Sequence, residues 1–305
     1  MTAMTRTAWA LLILLSVLWG GSFFFVAVAI ESLPVISIVW LRAALAALAL
    51  WALIWIGRVP LKWSRGAVVA CIGAGLLNNV IPHSLIVYGQ ASIPSGLASI
   101  LNATTPLFTV VALHLLTADD KLNRQKIAGV AFGLAGVIVL IGPGVLRSGA
   151  PVLAQVSVLG GALFYGLAGV WARRFKSLGL SPLGIAAGQL TASSVFLLPV
   201  TLMIDKPWTL SLPGWEPITA VLGLAILSTA LAYVIFFRIL ELAGPANLSL
   251  VTLLIPVSAA LLGWAVLSER LGWGDFAGAV LIGAGLVAMD GRALRFLKRA
   301  STEIG

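Results

Sequence analysis

The sequence predicts an all-α integral membrane protein, with ten transmembrane helices arranged as two inverted five-helix repeats around a central cavity. Three observations carry that prediction. Of the 305 residues, 60% are hydrophobic and only 10% charged, with a mean hydropathy of +1.09, whereas charged residues alone approach a quarter of an ordinary soluble domain. Apolar windows of the roughly 17–25 residues that a spanning helix needs recur ten times, at about 8–30, 35–57, 67–90, 95–116, 126–142, 152–174, 183–204, 215–240, 245–267 and 275–291. The chain also matches itself at an offset of 150 residues.

The first span follows Arg6 and carries Trp19 near its middle, beside Gly20-Gly21. Its Ala27-Val28-Ala29 pattern could end a secretory signal, but an apolar run of about twenty residues is longer than a signal core of about 7–15. The second span opens after Pro34 and places Arg42 roughly 12 Å into the helix at about 1.5 Å per residue. An intramembrane cation is a functional candidate by default; the rival reading is snorkelling to the outer headgroups.

The third span is the most polar. Asn79, His83 and Gln90 fall on one helical face, and Pro82, lacking an N–H, frees the carbonyl of Asn78. His83 is either a proton carrier or a neutral histidine bonded within the bundle. Tyr88, Trp19 and Tyr165 of the sixth span are candidates to line a cavity, and packed core is the competing role for each. Cys71, the single cysteine, is expected as a free packed thiol.

In the fourth span Ser95, Ser99, Asn102, Pro106 and Thr109 recur at steps of four and three residues, one face of a helix, with Thr105 alongside. Pro106 frees the carbonyl of Asn102. The ninth span echoes this with Ser249, Thr252 and Pro256, which frees the carbonyl of Thr252. Unmet polar groups facing lipid would cost several kcal/mol each, so both stripes are expected to wall an aqueous cavity; bonding to neighbouring helices is the alternative. His114 is expected near the interface.

Gly129, Gly133 and Gly136 in the fifth span, echoed by Gly274, Gly278 and Gly285 in the tenth, form small-xxx-small surfaces for close packing, as scaffold or as an internal dimer of repeats. Arg238 and Glu241, one turn apart in the eighth span, read as an ordinary ion pair. Pro182, ahead of the seventh span, echoes Pro34.

The repeat is clearest where "PSGLASILNATTPLFT" from Pro94 pairs with "GPANLSLVTLLIPVSA" from Gly244, aligning Ser99 with Ser249, Asn102 with Thr252 and Pro106 with Pro256. Five spans per half is odd, so the second copy enters the membrane from the opposite side, and such pairs place a site between them near mid-bilayer. The halves are expected at residues 1–146 and 147–305, the second ending in a basic tail.

A net charge of +9 would suggest nucleic acid in a soluble protein, but here its distribution is the better test. Fifteen of the 19 basic residues fall at one set of span ends: Arg6; Arg58, Lys62 and Arg65; Lys121, Arg124 and Lys126; Arg173, Arg174 and Lys176; Arg238; and Arg292, Arg295, Lys298 and Arg299. Arg42, Arg147, Lys206 and Arg270 remain. Both termini are therefore expected in the cytoplasm, with the lipid bilayer and a small-molecule substrate as partners and no nucleic acid.

"LWGGSFFF" at residues 18–25, Pro34 followed by Arg42, "ASIPSGLASILNATTPLFT" and "LSERLGWGDFAGAVLIGAGL" together resemble the EamA repeat of the drug/metabolite transporter superfamily. The resemblance covers nearly the whole chain. It implies a ten-helix exporter of small metabolites in a bacterial inner membrane, similar to amino-acid exporters that include the aromatic amino-acid and methyl-viologen group, monomeric or weakly oligomeric. One departure stands out: Glu269-Arg270 follows the late helix of the second half, whereas the first half has Asp119-Asp120-Lys121.

Other functional classes fare worse. Neither His-Glu-x-x-His nor Gly-x-Ser-x-Gly occurs, and Asp119, Asp120, Asp205, Asp275 and Asp290 all sit at span ends, which disfavours an intramembrane enzyme. No Gly-x4-Gly-Lys-Ser/Thr loop offers an ATP site, and no cofactor or metal is expected. A channel would want a ring of repeated donors or charges. A largely neutral cavity suits zwitterions such as amino acids, their ammonium at the freed carbonyls of Asn102 and Thr252 and their side chains against aromatic walls.

Overall fold

The computed structural model describes residues 5–118, 122–141 and 149–290, with 140–141, 149–151, 245–246 and 289–290 described by backbone alone. The Asp119-Asp120-Lys121 run, Arg147, the tail residues Arg292, Arg295, Lys298 and Arg299, and the junction between residues 146 and 147 lie outside the described residues. Within them every regular element is helical: α1 (Arg6–Ala29), α2 (Val35–Ile56), α3 (Arg65–Gly75), α4 (Ile81–Gln90), α5 (Ser95–Asn102), α6 (Thr105–Leu116), α7 (Arg124–Ile141), α8 (Gly149–Ala172), α9 (Pro182–Ile204), α10 (Trp215–Ala225), α11 (Ala232–Leu248), α12 (Val251–Leu267) and α13 (Trp273–Asp290). Seven stretches are long and apolar enough to cross a membrane, among them the composite Arg65–Gln90, Ser95–Leu116 and Trp215–Gly244; Val251–Leu267 and Trp273–Ala288 are shorter apolar helices. With α7, of 18 residues, they occupy all ten expected positions.

The halves are interlocked rather than side by side. α1 packs on α10, α11 and α12 of the second half, while α8, its counterpart, packs on α3 to α6 of the first; α2 lies on α9 and α7 on α13. Close approach requires glycine at specific points. A Cβ on Gly20 would collide with Ser258 Oγ and stand 2.8 Å from the Ala259 nitrogen, where Ser258 Oγ donates to the Ser16 carbonyl at 2.7 Å. In the α7–α13 pair a Cβ on Gly136 would lie 2.8 Å from the Gly278 carbonyl oxygen, and one on Gly285 2.6 Å from that of Gly129. The glycine stripes are thus an internal pairing of the two repeats.

Two helices are broken in register with the repeat. Leu76–Val80 and Ile226–Leu231 are π-helical, each starting 150 residues from the other. A π turn aligns residues five apart rather than four, so it re-aims every side chain beyond it. Pro82 sits two residues after the first segment, but Ala232 follows the second, so proline is not the common cause. At the second, the Thr229 hydroxyl donates to the Leu224 carbonyl five residues back, at 2.8 Å.

The interruption expected around Pro106 falls at Ala103–Thr104, between α5 and α6. Its counterpart differs from expectation: α11 runs on to Leu248 across a non-helical Gly244 (φ 75°, ψ 170°), the break comes at Ser249–Leu250, and Pro256 lies inside an unbroken α12. Gly244 supplies the positive φ that lets the chain turn there.

α2 and α5 both begin after a proline at the N-cap position, Pro34 and Pro94, which has no side chain to cap with. Their orphan N–H groups are satisfied by the other half. Asp205 Oδ2 accepts from Ser37 N and Oγ, both at 2.7 Å. Glu269 accepts from Ser95 N at 2.9 Å, Ser95 Oγ at 2.8 Å and Gly96 N at 3.2 Å. α9, the counterpart of α2, instead caps itself through Ser181 Oγ and Gly184 N.

Candidate functional site

Where the broken helices meet, a cavity of about 260 Å³ opens between the halves, just under the roughly 300–1,000 Å³ of ordinary small-molecule sites. α1 contributes Trp19, Ser22, Phe23 and Val26; α2 contributes Arg42; the π segment and α4 contribute Asn78, His83, Ile86, Val87 and Gln90. Asn102, Ala103 and Thr105 come from the α5–α6 break, and Tyr165 from α8. Ser228, Thr229, Tyr233 and Phe236 come from the second π segment and α11, and Thr252 and Ile255 from α12.

Among the expected residues, Trp19, Arg42, His83, Asn102, Thr105, Tyr165 and Thr252 converge here. Trp19 meets Phe236 at 5.7 Å between ring centroids, and His83 meets Tyr165 edge-on at 6.1 Å. Arg42 is buried rather than snorkelling: its Nε donates to Thr229 Oγ1 at 2.9 Å.

Other expected residues lie elsewhere, for identifiable reasons. Asn79 is buried outside the lining and Asn78 takes its place, because the π turn aligns residue 78, not 79, with His83. Tyr88 is half exposed outside the cavity. Ser99 is fully buried, its hydroxyl bonded to the Gly96 carbonyl at 2.6 Å, so the fourth-span stripe is a wall only at its centre. Ser249, at the break before α12, is exposed and outside the lining. Pro82 lies buried at the start of α4. The carbonyl freed by Pro106 is also not bare: Thr105 Oγ1 donates to the Asn102 oxygen at 2.7 Å. The available acceptor is instead the side-chain Oδ1 of Asn102, buried without a partner.

Sequence reasoning missed a network at the cavity edge. Asn78 Nδ2 donates to Gln189 Oε1 at 3.3 Å and Tyr233 OH at 3.1 Å, and Gln189 Nε2 donates to the same hydroxyl at 3.1 Å. This ties the two halves together. Gln90 Nε2 donates to the Phe23 carbonyl at 2.9 Å. The offset of 150, extended upstream of Pro94, lays Asn78-Asn79 over Ser228-Thr229 and would have drawn attention to the second half. Away from the cavity, Arg238 and Glu241 form the expected exposed ion pair at 2.8 Å, Cys71 is a buried free thiol, and His114 Nδ1 accepts from Leu122 N at 3.3 Å.

The family model described as the EamA-like transporter family matches twice, over residues 7–142 and 152–289. The chain belongs to that family. This EamA-like chain is 26% identical over 281 residues to the Uncharacterized transporter YoaV of Bacillus subtilis (strain 168), covering 90% of this chain and 94% of that one. It is 28% identical over 260 residues to the Uncharacterized inner membrane transporter YedA of Escherichia coli (strain K12), covering 84% and 82%. A Probable amino-acid metabolite efflux pump of the same strain is 26% identical over 295 residues, covering 93% and 94%. One solved crystal structure matches with a TM-score of 0.67 at 19% identity, covering 94% of this chain and 98% of that one, and so shares the fold. The EamA-like chain is a multi-pass membrane transporter.

Proposed function

We propose that this transporter exports small metabolites, amino acids with apolar or aromatic side chains foremost, across a bacterial inner membrane by alternating access. The observation that carries the reading is the cavity between two interlocked halves, sized for one small molecule and walled by Trp19, Phe23, Tyr165 and Phe236 beside polar groups. The E. coli relative named as a probable amino-acid metabolite efflux pump supports the substrate class. In this reading Trp19, His83, Tyr165, Asn102, Thr105 and Thr252 contact the substrate, and the α5–α6 break ahead of Pro106, the π segment before Pro82 and the break ahead of Pro256 let the helices reorient. The repeats divide at residues 146 and 147. The basic span ends face the cytoplasm, with both termini.

No ATP motif is present, so export draws on an ion gradient or on the substrate's own concentration. The test is flux from proteoliposomes with labelled amino acids, with and without a proton gradient. Saturable flux with counterflow for a tryptophan- or phenylalanine-like substrate is expected. Linear flux without counterflow would mark a channel, and no flux for any amino acid would remove the substrate assignment.

A further inference from the structure

Arg42 brings a fixed positive charge into the cavity, and among the described residues no anion balances it. It lies in the interior of α2 and is nine-tenths buried. Among the described residues no carboxylate lines the cavity or pairs with Arg42. The described acids are engaged or placed elsewhere: Asp205 caps Ser37 and Glu269 caps Ser95. Glu241 pairs with Arg238, and Asp275 accepts from Gly272 N. Glu31 and Glu216 are exposed at helix ends. A guanidinium keeps its charge in proteins, and a buried ion without a counterion is unfavourable. The described residues supply no anion to it, and a bound ligand is the natural source.

The head group is held ready for one. Its Nε is bonded to Thr229 Oγ1, and that hydroxyl's own hydrogen is committed to the Leu224 carbonyl released by the π turn. With Nε fixed, the terminal amino groups of a planar fork are oriented for two parallel bonds to a carboxylate. The other walls, Trp19, Phe23 and Phe236, are aromatic, and so suit an apolar body attached to that carboxylate.

We propose that Arg42 is the carboxylate-binding residue of the cavity. The transporter therefore takes α-amino acids and other organic monocarboxylates with an apolar body and rejects their amides, their decarboxylated amines and organic dications. This rests on the export reading above and sharpens it: it excludes methyl viologen, which the sequence resemblance had left among the expectations.

The experiment uses the full-length protein in nanodiscs, its ligand affinity read by calorimetry and its melting by thermal shift. The probes are L-phenylalanine, phenylpropionate, L-phenylalaninamide, phenethylamine and methyl viologen, each against wild type, R42K and R42Q. Phenylalanine and phenylpropionate are expected to bind wild type at least about tenfold more tightly than the other three, R42Q to lose that preference, and R42K to keep part of it as a point charge without the fork. Because the empty cavity holds an uncompensated charge, ligand-free R42Q is expected to melt no lower than wild type.

Equal binding of phenylalanine and its amide, or a large fall in the melting temperature of ligand-free R42Q, overturns the role of Arg42 while leaving amino-acid export standing. Binding of phenylpropionate without phenylalanine upholds Arg42 and removes amino acids as the substrate. Preference for phenethylamine or methyl viologen, or no carboxylate binding at all, overturns both.

Discussion

Asn102 shows how a residue read correctly as polar and central can act through a different atom. Its backbone carbonyl, freed by Pro106, is taken by Thr105, and its side-chain oxygen is left buried without a partner. Buried polar groups are almost always satisfied, so an acceptor held open beside the cavity is poised for a donor such as an ammonium group. A hydrogen bond to a charged group contributes about 1.5–3 kcal/mol. Asn102→Leu is therefore expected to cut export about tenfold or more in a cell-resistance or efflux assay at equal membrane expression. Unchanged export would show that the oxygen does not meet the substrate. The glycine at position 20 shows the opposite case, a residue whose importance lies in having no side chain where Ser258 and the α12 backbone press against α1.

At the scale of elements, the paired helix starts after Pro34 and Pro94 are held by acids from the opposite half, Asp205 and Glu269. Both contacts lie on the same membrane face, since α9 and α12 end where α2 and α5 begin. The counterpart of α2, α9, is capped within its own half by Ser181, so the latch at the start of α2 has no mirror image at the start of α9. A helix cap contributes about 0.5–2 kcal/mol. Glu269→Ala is expected to lower stability by about 1–2 kcal/mol, measured by thermal or denaturant unfolding in detergent, whereas Glu269→Gln, whose amide oxygen still accepts, should lose less. Equal stability of wild type and Glu269→Ala would mean that water replaces the carboxylate at no cost. The π segments act at this scale too: by shifting the helical phase they exchange Asn79 for Asn78 at the cavity and turn Thr229 toward Arg42.

For the whole molecule, inversion follows from parity: five spans in the first half oblige the second to run the other way. The proposed orientation rests on charge, since basic residues cluster at one set of span ends. On a Cys71→Ser background, a single cysteine at exposed Ser177 should react with a membrane-impermeant maleimide only from the cytoplasmic side. One at exposed Ser211 should react only from outside. The reverse pattern would overturn the proposed topology.

Ten spans, the repeat and the internal glycine pairing were legible because hydropathy, parity and residue size are local properties written directly in the order of residues. The cavity was legible in part. Trp19, His83, Asn102, Tyr165 and Thr252 stood out as polar or aromatic groups at membrane depth, but a regular helical wheel cannot anticipate a π turn, and so it chose Asn79 over Asn78. Tyr88 stands out by residue type and Ser99 by helical periodicity, and both lie outside the cavity lining. What the tertiary structure alone decided is which groups meet: Thr229 with Arg42, Gln189 with Asn78 and Tyr233, Glu269 with Ser95. These partners are separated by more than a hundred residues, except Gln189 and Tyr233. Such pairings arise from the interlocking of two halves, and no local pattern encodes them.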